Sequence, residues 1–174
     1  IIDVQGGGTF SMNYDAFNGV FTRGASVCGQ VRLADGAILE NAAIYSHTNY
    51  LANGEKTDRS NDDPVVQTTG NVTVKGQVYI KGDEAGSTGK GQTALGVKNG
   101  TITLADNAVL ATYGGGGTIQ LYAEGGNALK LENGTVTGNG QLIAIGGAVL
   151  WGKGGTAVAG SGAITTKSAL LQGA

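Results

Sequence analysis

Thr93-Ala-Leu-Gly-Val-Lys-Asn-Gly-Thr-Ile-Thr-Leu104 returns about thirty residues later as Asn127-Ala-Leu-Lys-Leu-Glu-Asn-Gly-Thr-Val-Thr-Gly138. A worn copy follows at Thr156-Ala-Val-Ala-Gly-Ser-Gly-Ala-Ile-Thr-Thr166, and an earlier one stands at Pro64-Val-Val-Gln-Thr-Thr-Gly-Asn-Val-Thr-Val74. Repeats of this length signal a stacked array in which each copy buries its apolar face only against its neighbours.

Around these phrases lie short runs with period-two alternation, separated by glycine-rich corners. They are Asn71–Val74, Gln77–Lys81, Thr101–Leu104, Ala108–Ala111, Thr118–Tyr122, Gln141–Ile145, Ala148–Trp151, Ala163–Thr166 and Ala169–Leu171. Runs of three to five such residues read as strands with one buried face. A meander of hairpins does not require whole phrases to repeat, whereas a coil does, because it places Val74 and Leu104 in one stacked interior column. The expected fold is therefore all-β, a parallel β-helix (β-solenoid) with about three short strands per turn. Each corner needs either positive φ or a missing Cβ against the next rung, and Asn99-Gly100 and Asn133-Gly134 suit such bends.

Composition agrees. Thirty-three glycines among 174 residues, with one proline and no Gly-X-Y period, exclude collagen. The apolar content is 40% and the net charge −2, which excludes a disordered glycine-rich linker. Lys and Arg form no basic stripe, so nucleic acid is not an expected partner. No segment is long and apolar enough to predict a membrane span. A single cysteine, Cys28, excludes an internal disulfide framework and reads as a small buried strand residue.

Residues 1–24 lack the repeat and hold all three phenylalanines, so they read as an N-terminal cap or atypical first turn, with the solenoid over 25–174. Residues from about 50 to 64 break the rhythm and concentrate charge, which marks a loop leaving the wall, and Gly82–Gly91 is a smaller excursion. The final residues, Gln172-Gly-Ala174, stop in mid-rhythm with no sealing helix, so the expectation is that the chain either continues or meets another copy through β-augmentation of the last rung.

Chemistry-bearing residues are few. His47, the only histidine, has no acid near it in sequence, and no catalytic set emerges. Asp58, Asp62 and Asp63, with Glu55 and Asn61, are the one dense group of hard oxygen ligands; calcium is the cation they suit, although the spacing fits no EF-hand. The same carboxylates are the only candidates for lyase or hydrolase chemistry. Tyr113, Tyr122 and Trp151 fall near strand ends in successive repeats and form a candidate strip for sugar rings. Thr101, Thr103, Thr135 and Thr137, with Thr73, Thr165 and Thr166, form a rank of methyl and hydroxyl groups of the kind an ice-binding face uses. The Asn-x-Thr triplets at Asn71, Asn99 and Asn133 coincide with the turn chemistry of the repeat.

On the degenerate phrase Leu129–Gly138, the Gly138-Asn-Gly140 corner and the almost cysteine-free composition, the chain resembles the right-handed parallel β-helix of bacterial surface proteins, in particular pertactin-like autotransporter passengers. The resemblance covers about residues 64 to 174. It implies an extracellular or cell-surface stalk or adhesin without catalytic residues or cofactor. The expected function is thus a structural and adhesive solenoid presenting a surface to a host or environmental glycan, a matrix protein or itself. A carbohydrate-binding or carbohydrate-active β-helix is the alternative, and an ice-binding solenoid the third.

Overall fold

The computed structural model describes residues 1–12, 30–46, 63–84, 89–116 and 123–174. Within them every element is a strand: β1 (Ile2–Val4), β2 (Thr9–Ser11), β3 (Val31–Leu33), β4 (Ile38–Tyr45), β5 (Val66–Thr69), β6 (Val72–Lys81), β7 (Leu95–Lys98), β8 (Thr101–Leu104), β9 (Val109–Tyr113), β10 (Ala123–Glu124), β11 (Leu129–Ile145), β12 (Gly152–Lys153) and β13 (Val158–Gln172). All pairings between them are parallel. The chain is a parallel β-solenoid.

Three walls make each turn. The first runs through β1, β3, β5, β7 and the start of β11 and β13, so that Ile2, Val31, Val66, Leu95, Leu129 and Val158 share one column. The second runs through β2, the start of β4 and β6, β8, and the middle of β11 and β13. The third uses the ends of β4 and β6, then β9, then the ends of β11 and β13. Runs that the sequence separates, such as Asn71–Val74 and Gln77–Lys81, join into one strand that turns the corner through a bulge. At this bulge Asn41 of β4 stands opposite Gly76 and Gln77 of β6; it takes φ 44°, and its Oδ1 accepts from the Gln77 backbone amide at 3.1 Å.

Alternation then fills the interior. Leu33, Leu39, Ile44, Val74, Ile80, Leu95, Ile102, Leu104, Leu110, Leu129 and Leu142 are all buried in one continuous core. Each such side chain contributes about 2 kcal/mol relative to exposure, which is how strands of four or five residues hold together. Corners between the first two walls use the expected Asn-Gly pairs: Asn99 and Asn133 have φ 49° and 52°, and Asn133 Nδ2 reaches Asn99 Oδ1 at 3.4 Å across the turn.

Candidate functional site

After the third wall the chain leaves the solenoid and comes back, and it does so at the same angular position in successive turns. Each departure and return is made by glycine. The departures and returns fall at Gly82 and Gly91, at Gly114-Gly115 and Gly125-Gly126, and at Gly146-Gly147 and Gly154-Gly155.

Hydrogen bonds explain the pairs. Gln92 N–H donates to Asp83 O (2.9 Å), Gly115 to Gln92 O (2.9 Å), Gly126 to Gly115 O (2.8 Å), Gly147 to Gly126 O (2.9 Å), Gly155 to Gly147 O (2.9 Å) and Ala174 to Gly155 O (3.1 Å). Outgoing passes (Asp83, Gly115, Gly147) and returning passes (Gln92, Gly126, Gly155) form two adjacent backbone columns laced by one zigzag of bonds. The columns pack without room for side chains: a Cβ on Gly115 would run into Asp83 O, on Gly147 into Gly115 O, on Gly126 into Gln92 O and on Gly155 into Gly126 O. None of these glycines has positive φ, so it is the missing Cβ, and not conformational freedom, that this seam selects.

Beyond the necks the excursions stack as well. Lys90 bridges to Glu124, and β10 pairs with β12 through Ala123↔Gly152 and Glu124↔Lys153. Paired positions along this small parallel sheet thus carry Lys, Glu and Lys. At its outer end Leu150 and Trp151 are 76% and 67% exposed. The run Ala148–Trp151, which alternation alone reads as a strand of the wall, lies on this excursion, because the glycine pairs flanking it form a neck.

The sequence candidates separate accordingly. Trp151 sits on the excursion row, immediately before Gly152. Tyr122 immediately precedes Ala123, the register partner of Gly152, but lies outside the described residues. Tyr113 ends β9 on the third wall, half-buried, with its ring 5.0 Å from that of Tyr79 and tilted by 34°. Tyr79 was not among the expected residues; its signal is the 34-residue spacing to Tyr113, which joins them diagonally across adjacent turns. Asp58, Asp62, His47 and Cys28 lie outside the described residues. Asp63 is exposed, and its carbonyl accepts from Gln92 Nε2 at 2.9 Å. Among the described residues no three His, Cys, Asp or Glu side chains converge on one point.

The threonines do align. Thr9, Ile38, Thr73, Thr103, Thr137 and Thr165 occupy one outward column of the second wall, and Thr101 and Thr135 stand beside it. Next to this column, at the following corner, Asp106, Asn107, Asn139 and Lys167 line an open polar recess of about 450 Å³, in which Asn139 Nδ2 donates to Asp106 Oδ1 at 3.0 Å.

Comparison with protein-family profiles, with curated proteins and with solved structures yields no match to this chain. Among the described residues no helix is long and apolar enough to cross a membrane.

Proposed function

We propose that this chain is a cell-surface or secreted structural solenoid that binds its partner through the row of excursions on its glycine seam, in the manner of an adhesin of the pertactin-like passenger type. One observation carries this reading: successive turns project their non-wall segments from the same seam, so that a stiff scaffold aligns them into a single strip. Binding residues concentrate on loops held by rigid frames. The strip ends in an exposed indole and an exposed leucine beside alternating charges, a mixture suited to a sugar ring or a protein surface. Partners on this reading are a host or environmental glycan or a matrix protein.

The test is binding of the purified chain to an array of glycans and matrix proteins, with Trp151→Ala and Thr103→Ala beside it. Selective binding lost in Trp151→Ala and kept in Thr103→Ala is the expected result. Binding that ignores Trp151 but disappears with Thr103 moves the function to the second wall. Silence across the array removes the adhesive reading.

A second reading is favoured by the threonine column alone. Parallel strands space its residues at about 4.8 Å along the axis, and the hydroxyls of Thr73, Thr103, Thr137 and Thr165 are engaged by no other described residue. Such a face suits ordered water, and thermal hysteresis of the purified protein is the readout that separates ice binding from adhesion.

A further inference from the structure

The third wall turns an aromatic and apolar face outward, with one charge upon it. Val78, Ile80, Leu110 and Thr112 point into the core, so alternation places Tyr79, Lys81, Ala111 and Tyr113 on the outside. Tyr45, Tyr79 and Tyr113 recur at a spacing of 34 residues on three consecutive turns. Register puts Tyr45, Lys81 and Tyr113 in one column, and Tyr79 beside them in the next, between Ala43 and Ala111. The tyrosines therefore zigzag along the axis, rising about 10 Å over two turns, with Lys81 at their centre. The rings of Tyr79 and Tyr113 lie 5.0 Å apart and only 34° from parallel, so the two offer one aromatic surface. Lys81 and the three tyrosines are all half-buried.

Among the described residues Lys81 is the only charge on the third wall, and none of them forms an ion pair with it. The first wall handles its lysines differently, setting Lys98 and Lys130 against Glu132. We propose that the third wall is a second binding surface, which takes a carboxylated sugar: the carboxylate rests on Lys81, and the C–H face of the pyranose lies on the tyrosine rings. Charge selects this ligand. One lysine neutralises one carboxylate, whereas a phosphate calls for several donors and a nucleic acid for a run of cations. The backbone does not supply them, because the amides of this part of β6 are committed to the ladders with β4 and β9. A neutral sugar leaves the ammonium without a counterion. An oligosaccharide laid along the axis meets the three rings in turn.

This inference stands whether or not the seam binds. Its test is isothermal titration of the full 174-residue chain with two probes, an oligogalacturonate and a sialylated trisaccharide, each beside its methyl ester. The two arms separate a uronate from a sialate as the source of the carboxylate. The expected result is that at least one acid binds and that its ester binds more weakly by about tenfold or more. Added salt should narrow that gap. Lys81→Gln should weaken the acid and leave the ester unchanged, erasing the difference between them, which a misfolded variant does not do. Lys81→Arg should keep the preference, Tyr79→Ala should weaken acid and ester alike, and Trp151→Ala should change neither. Acid and ester bound equally, or no binding of either acid, overturns the proposal. So does binding that survives Lys81→Gln and is lost in Trp151→Ala, which returns the sugar to the seam. Tyr79-dependent dimerisation in sedimentation velocity also overturns it, by giving this face to a second copy.

Discussion

Along the three walls, side chains on the paired strands alternate between core and solvent and fill the space between walls; at the seam, the stacked passes have backbone on every side and no room for a side chain. Leu104, Leu110 and Leu142 gain their stability from apolar area, which tolerates a change of shape at a graded cost. Gly115, Gly126, Gly147 and Gly155 gain theirs from hydrogen bonds between columns packed too closely for a methyl group. The walls are therefore tolerant and the seam is not. The difference also explains how one molecule supports excursions of varied composition: the neck fixes the geometry, and the residues beyond it are free to vary.

The largest expected effect breaks the seam with one carbon. Gly147→Ala drives a Cβ into the carbonyl of Gly115 and also meets Gly114 O at 3.0 Å, both parts of the backbone, so relief requires moving two turns. We expect a loss of about 4 kcal/mol or more, the range reserved for severe local disruption, and a collapsed thermal transition. Gly173→Ala is the control, since its nearest neighbour atom would be Gly155 O at 3.8 Å, and it should lie within about 0.5 kcal/mol of the parent. Equal melting curves for the two variants would show that the seam is no tighter than the end of the chain.

Next in size is a wall substitution. Leu110 is fully buried in β9, stacked between Val78 and Leu142 in one column, and truncation to alanine removes apolar contacts while leaving a cavity. Urea denaturation should show a loss of about 2–5 kcal/mol with the cooperative transition retained. Should Leu110→Ala prove as damaging as Gly147→Ala, the contrast between graded walls and an all-or-none seam fails.

Much of this division was legible in the residues, and the remainder was hidden for a physical reason. Phrases such as Leu95–Leu104 carry alternation and a fixed period, which are local signals, so the coil, its columns and the left-handed Asn99 and Asn133 corners follow from them. The seam has no alternation. Gly114-Gly115 and Gly125-Gly126 look in sequence like more corners, and only the register of distant turns shows that they face each other. For the same reason Ala148–Trp151, apolar and β-prone, reads as one more wall strand although it stands outside the wall. Tyr79 and Tyr113 are far apart in the chain, and the diagonal contact between them depends on how many residues the intervening excursion consumes.

The smallest effect belongs to the charged first wall and separates it from both regions. Lys130 Nζ lies 2.8 Å from Glu132 Oε1, and Lys98 on the preceding turn lies 3.8 Å from Oε2. The hydrogen bond from Lys130, then its charge, then the charge of Lys98 hold the Glu132 carboxyl below its ordinary value, against a small opposing effect of burial. A carboxylate whose pKa is depressed on folding stabilises the folded state above its unfolded pKa, and that contribution fades as the pH falls through the folded pKa. The pair is solvent-exposed, so the stability at stake is small and screened by salt. An NMR titration of the Glu132 side-chain carboxyl reads it directly: Lys130→Ala should raise the Glu132 pKa toward the ordinary carboxylate value, Lys98→Ala should raise it less, and the Leu110 core should melt unchanged at neutral pH in both. If Lys98→Ala moves the pKa further than Lys130→Ala, the contact between turns outweighs the contact within β11, and the first wall is tied together by charge as well as by its columns.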